Sequence, residues 1–199
     1  MKILLVGALG TVGRAVAAEL GGRHEIVVAG RKGADLPLDL ADPASLRAAF
    51  QRLGTLDAIV SAAGQVGWAP LLELTEEQWK FSLANKLMGQ VNLALIGQAH
   101  LRDGGSITLT SGVLNHDPVA YGAAASLANG GIEGFVRAAS VELPRGLRIN
   151  AVSPGVLVES MKDLGPFFRG FQPVPGARVA LGYARSVEGG ESGKVYAVH

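Results

Sequence analysis

Short Leu-rich and β-branched runs alternate along the chain with longer, Ala-rich amphipathic runs. Strands buried on both faces read as nearly continuous apolar stretches, so this alternation predicts an α/β fold, a parallel sheet covered by helices on both sides. Seven strands are expected, over Lys2–Val6, Glu25–Ala29, Pro37–Leu40, Asp57–Ser61, Ser106–Thr110, Leu147–Val152 and Lys194–Val198. Helices are expected over Thr11–Leu20, Pro43–Leu53, Glu76–Leu101, Ala120–Leu143 and Ala177–Ser186. Asp42 before Pro43 reads as an N-cap with a first-turn proline, Thr75 and Gln78 as a capping box, and Gly21-Gly22 as a helix stop. No repeat or linker interrupts the pattern, so residues 1–199 are expected to form a single domain. One irregular stretch, Leu157–Pro175, holds three prolines and three phenylalanines. It reads either as a flap over a substrate or as a packed surface loop.

Composition narrows the partners. Of 199 residues, 48% are hydrophobic, and 18 Lys and Arg stand against 17 Asp and Glu. A net charge of +1 offers no cationic field for nucleic acid or an anionic membrane surface, so neither is an expected partner. The chain has no Cys, which removes disulfides, thiolate metal sites and cysteine nucleophiles and fits a cytoplasmic setting. Its four His are scattered, so no metal is expected. No stretch reaches the roughly 18 apolar residues that suggest a spanning helix. The opening MKILLVGALG runs straight into a strand and a glycine turn, so the mature protein is expected to start at Met1.

That turn carries the first chemistry. Gly7, Leu9, Gly10, Thr11, Val12 and Gly13 follow the first strand and open the first helix. Glycine permits a tight turn and close backbone approach to a pyrophosphate, whose charge sits on free amides at the positive helix end. At the end of the second strand, where an acid would grip the ribose of NAD, the chain has Gly30-Arg31-Lys32. A charged hydrogen bond from Arg31 to a 2′-phosphate is worth roughly 1.5 to 3 kcal/mol, about ten- to a hundredfold in selectivity, which makes NADP(H) the expected cofactor. The alternative is a solvated pair of charges after a strand.

Further motifs follow in order: Asp39-Leu40-Ala41-Asp42, Ser61-Ala62-Ala63-Gly64, Trp79 to Asn85, Gly105 to Ser111, and Arg148 to Gly155. With the glycine turn they resemble the short-chain dehydrogenase/reductase superfamily over nearly the whole chain. The resemblance implies a Rossmann-type doubly wound sheet. It implies that Asp39 and Leu40 meet the adenine, that Ala62, Ala63 and Gly64 line the cofactor, and that Pro154, Gly155 and Val156 hold the nicotinamide. It further makes Asn85 a structural and proton-relay residue and Ser111 a substrate-orienting one. Family members often pair the helix over Ala120–Leu143 in homodimers or homotetramers, which its glycines and alanines suit.

The likeness fails at the family's Tyr-x-x-x-Lys pair, in which the tyrosine gives the proton and the lysine acidifies it and binds ribose. Alignment on Gly131 to Phe135 puts Ala125 and Asn129 there. Asn129 retains a hydrogen bond for the ribose but no charge. Tyr121 is the nearest tyrosine, either a displaced acid or a packed ring. His116 is either a proton donor or a turn residue without a role. Lys86 is expected to be solvated, because helical neighbours diverge by about 100° and Asn85 takes the inward direction. Glu159 stands where a carboxamide-touching threonine is usual. Two functions follow: an NADP(H)-dependent oxidoreductase acting on a small carbonyl, quinone or enone by an atypical mechanism, or an NADP(H)-binding pseudoenzyme or redox-sensing regulator without turnover. Pro166, Phe167, Phe168 and Phe171 are expected to make an apolar lid over the substrate.

Overall fold

In a computed structural model describing residues 1–199, the apolar runs pair into one sheet. Its strands are β1 (Lys2–Val6), β2 (Glu25–Gly30), β3 (Leu36–Pro37), β4 (Leu56–Ser61), β5 (Leu101–Thr110), β6 (Arg148–Pro154) and β7 (Val195–Val198). All pair in parallel, in the order β3-β2-β1-β4-β5-β6-β7. Alternate residues of one strand feed opposite cores. Ile3 and Leu5 of β1 pack with Val16 and Leu20 of α1 (Thr11–Gly21) and with Val179 and Tyr183 of α7 (Gly176–Glu188). Leu4 joins Phe50 of α2 (Pro43–Gln51), Leu93 of α4 (Gly89–Gly97) and Val136 of α5 (Ala123–Glu142) on the other face. Chain order reverses between β1 and β4, and in such sheets the ligand crevice opens at the carboxyl ends of the strands on either side of the reversal.

Both predicted caps are present: Asp42 accepts from the Ala44 amide at 2.8 Å, and Thr75 and Gln78 form a reciprocal box. Several expected boundaries move. The helix expected over Glu76–Leu101 resolves into α3 (Glu76–Ser82), a π-helical segment Leu83–Met88, α4 and a 3₁₀ turn Gln98–His100, while Leu101 already belongs to β5. The third strand keeps only Leu36–Pro37, leaving Asp39 and Leu40 in the turn before α2. The helix expected from Ala120 begins at Ala123, because Tyr121 adopts a left-handed φ of 70° that no α-helix accommodates. The irregular stretch after β6 folds into a 3₁₀ turn at Val158–Ser160, a one-turn helix α6 (Met161–Leu164) and a coil that packs its aromatics inward.

Candidate active site

The glycine turn lies where the crevice begins. Gly7 has φ +86°, and a Cβ there would meet Ala63 Cβ at 2.8 Å; one on Gly13 would overlap the Gly7 carbonyl. These two glycines therefore let strand, turn and helix close on one another. Gly10, by contrast, faces open space, with only the Gly7 oxygen at 3.4 Å from a Cβ position. The amides of Thr11 and Val12 bond no backbone carbonyl, and the first turn of α1 carries no acid and no side-chain cap. An anion is the natural partner for such a helix end.

From here a groove runs past Gly30, Arg31 and Lys32 on one side and past Leu38, Asp39, Leu40, Ala62, Ala63 and Asn85 on the other. Arg31 reaches across it and donates to Gln65 Oε1 at 2.8 Å, while Asp39 Oδ1 accepts from the Ala41 amide at 3.0 Å. The residues expected to hold the adenosine end are thus brought together. They fit a nicotinamide dinucleotide: free amides for the pyrophosphate and two cations at the ribose end.

Beyond Gly64 the groove opens into a second cleft of about 200 Å³. Its walls include Lys86, Ser111, Ala125, Asn129, Ser160 and the β6 end Pro154-Gly155-Val156, with Val113, Leu114 and Phe168 making it apolar. The π segment dictates what enters from α3 and α4. A wider turn reduces the angle between successive side chains, so Asn85 and Lys86 both point inward. Asn85 Oδ1 accepts from the Gln65 amide at 2.7 Å. Lys86 is not solvated, contrary to the helical-wheel expectation. Its stem lies on Gly64, whose Cβ position is 3.0 Å from Lys86 Cγ, and its Nζ donates to the carbonyls of Thr110 (3.3 Å) and Ser111 (3.2 Å). Burial without an anionic partner pulls its pKa from 10.5 down to about 8. Gln90, fully buried, fixes the geometry by donating to Lys86 O and Thr110 O and accepting from the Thr110 amide.

On the opposite wall, Ser111 is buried and its hydroxyl donates to Glu133 Oε1 at 3.1 Å, with Val152 O at 3.4 Å. Its lone pairs, and not its hydrogen, are left for the cleft. Glu133 was not singled out in the sequence, although Ala125, Asn129 and Glu133 follow the i, i+4 spacing of one helix face. Its buried carboxylate also accepts from His116 Nε2 (3.0 Å) and Arg137 Nη2 (3.1 Å). His116 is therefore tied to Glu133 behind Ser111 and does not line the cleft. Asn129 donates to Gly112 O at 3.1 Å, and its buried Oδ1 has no partner. An orphan acceptor in this place suits a ribose hydroxyl.

Tyr121 lies outside the cleft, its ring edge-on to Phe167, which Trp68 also meets edge-on. Phe168 and Phe171 pack on each other, and Phe168 lines the cleft, so the irregular stretch turns an apolar face toward it. Glu159 faces the other way: its carboxylate accepts from the Gly176 amide at 2.9 Å and caps α7.

A doubly wound domain with a dinucleotide groove leading into a small apolar cleft defines the dehydrogenase class. A family model described as enoyl-(acyl carrier protein) reductase matches residues 15–197, and the chain belongs to the short-chain dehydrogenase/reductase superfamily of nicotinamide-dependent oxidoreductases. Among curated relatives, an uncharacterized oxidoreductase of Methylorubrum extorquens is 30% identical over 67% of this chain and 56% of its own. A putative ketoacyl reductase of granaticin polyketide synthase in Streptomyces violaceoruber is 31% identical over 63% of this chain and 49% of its own. A hydroxynaphthalene reductase-like protein of Metarhizium majus is 29% identical over 80% and 69%. The chain thus spans about half the length of the first two. Among solved structures, the protein lin1944 from Listeria innocua is 46% identical over the whole of both chains with a TM-score of 0.99. A small-chain dehydrogenase in complex with NADPH is 26% identical, covers 100% of this chain and 96% of that one, and has a TM-score of 0.88.

Proposed function

We propose that the protein is an NADPH-dependent reductase of small apolar carbonyl compounds, quinones or conjugated enones, working without the Tyr-Lys pair of its family. The observation that carries this reading is the continuity of the two clefts through Gly64, which leads from Arg31 and Lys32 to Ser111. Thr11 and Val12 amides would hold the pyrophosphate, Arg31 and Lys32 the 2′-phosphate, Asp39 and Leu40 the adenine, Asn129 the ribose, and Pro154, Gly155 and Val156 the nicotinamide. The bound nicotinamide supplies the hydride. The apolar lid around Phe168 excludes water and favours an uncharged substrate, and the cleft's small volume favours a compact one. Ketoacyl and hydroxynaphthalene reductases among the relatives support a carbonyl or an aromatic ketone. An activated substrate suits the site because a missing general acid costs about 10² to 10⁴ in rate, which low intrinsic proton demand offsets.

NADPH consumption by the purified protein against ketones, quinones and enones tests the reading. Turnover with NADPH exceeding that with NADH is expected. Tight NADPH binding with no turnover on any compound would instead establish a pseudoenzyme or redox sensor, a reading that Ala125 and Asn129 in the tyrosine and lysine positions favour. The same proposal includes a homodimer or homotetramer paired through α5, and a cytoplasmic setting consistent with the absence of Cys. No helix is long and apolar enough to cross a membrane.

A further inference from the structure

The reductase reading leaves the carbonyl oxygen without a proton donor, and the cleft narrows the choice. Ser111 points its hydrogen at Glu133 and Val152 O, Asn129 commits its amide to Gly112 O and offers only an acceptor, and Tyr121 stands outside with Phe167. His116 is held on the far side of Glu133. Ser160 lines the cleft with a neutral hydroxyl, which is too weak an acid to protonate an alkoxide-like oxygen unaided. Lys86 alone among the lining residues carries an ammonium. Two of its three hydrogens go to Thr110 O and Ser111 O, and the third is free.

We infer that Lys86, entering from the π segment instead of from α5, is the residue that protonates the substrate oxygen. This rests on the reductase reading. The substrate gains a hydride at carbon from the reduced nicotinamide. The carbonyl π pair closes on oxygen with one proton from Lys86 Nζ, and the product leaves as the alcohol; from a quinone this is the hydroxydienone, which tautomerises in water to the hydroquinone. Lys86, left as the neutral amine, regains its proton from water. Ala125 makes room for this arrangement, since no phenol competes for the position. Gln90 and the two carbonyls hold the ammonium at the lip of β5 next to Ser111, whose outward lone pairs are free to accept from a substrate hydroxyl or from the ammonium itself.

The charged surroundings allow the proton to leave. No carboxylate forms an ion pair with Lys86. Glu133, already shared by His116 and Arg137, lies behind Ser111, and Asp39 and Arg31 lie in the cofactor groove beyond Gly64. Desolvation accordingly dominates and brings the ammonium to about 8, close to the range in which a general acid works best at neutral pH.

Lys86→Met preserves the buried stem and removes the proton. Lys86→Arg preserves charge and both carbonyl bonds but carries a proton that it does not release. With wild-type protein turning over, both variants are expected to bind NADPH within about threefold of wild type and to lose about 10² to 10⁴ in kcat. Wild-type kcat should fall as pH rises through about 8, and the Met variant should lose that inflection. In the protein without nucleotide, the Lys86 side-chain NMR signal should titrate near 8, well below exposed lysines. Unchanged kcat and pH profile in Lys86→Met, full activity in Lys86→Arg, or a Lys86 signal titrating with the exposed lysines would overturn the inference and leave the reductase reading standing. A wild-type protein that oxidises NADPH with none of the ketones, quinones or enones overturns both.

Discussion

In the proposed reductase, cofactor choice rests on Arg31 and proton donation on Lys86, and each can be tested alone. Arg31 is exposed and spends its guanidinium on a neutral amide, Gln65 Oε1, a bond that a 2′-phosphate would outcompete. Arg31→Ala is therefore expected to weaken NADPH binding by about ten- to a hundredfold and to leave NADH nearly unaffected, as read by titration calorimetry. Lys86 makes a prediction about stability as well as rate. Its pKa in the folded protein, about 8, lies below the ordinary 10.5, so between those values the unfolded chain binds more protons and stability rises with pH. The cost of the desolvated ammonium, at most about 3.4 kcal/mol, is fully present below pH 8 and gone above about 10.5. Lys86→Met should accordingly melt higher than wild type at pH 7, with the gap closing toward pH 10.5 in thermal scans.

At the scale of elements, the π segment Leu83–Met88 sets the site, and Gln90 holds that segment against β5. Both amide hydrogens and the amide oxygen are engaged in a dry setting: two donations, to Lys86 O at 3.1 Å and Thr110 O at 2.9 Å, and one acceptance from the Thr110 amide at 2.8 Å. Gln90→Leu leaves the Thr110 amide without its partner and is expected to cost about 1 to 3 kcal/mol in denaturant unfolding. It should also raise the Lys86 titration toward that of free lysines, because the stem is no longer pinned. The segment explains where the sequence was readable and where it was not. Strands β1, β4 and β6 and helix α1 follow from continuous apolar runs and a glycine turn, and their residues lie within two positions of expectation. A π turn has no comparable signature in Leu83-Ala84-Asn85-Lys86, so a regular wheel placed Lys86 in solvent. Glu133 went unnoticed because its meaning depends on Ser111 and His116, brought to it by tertiary contact alone. The glycine turn is local, strand followed by turn followed by helix, and its geometry was legible for that reason.

For the whole molecule, the open question is what covers the outer faces of α4 and α5. Phe81, Met88 and Leu95 are exposed along α3, the π segment and α4, and Leu95 shares a surface hollow with Ala138 of α5. Leu127, Gly130, Gly134, Ala138 and Val141 form a parallel exposed stripe on α5, with Val141 85% exposed. Two adjacent helices with smooth apolar stripes pack well against their own two-fold copies, since small side chains permit close approach and an isologous contact needs only one self-complementary patch. The inner face of α5 carries Ala125, Asn129 and Glu133, so the same helix that would form the interface also builds the cleft wall. Arg137, on the edge of the outer face, ties the two together through its bond to Glu133. A charge at the centre of the stripe, Gly134→Arg, should break the pairing. Light scattering is expected to give a dimer mass for wild type across the micromolar range and a monomer for the variant, with NADPH affinity retained because exposed Gly134 lies on the face of α5 opposite buried Asn129 and outside the groove. Wild-type protein that scatters as a monomer throughout that range would show that these stripes are simply tolerated in solvent.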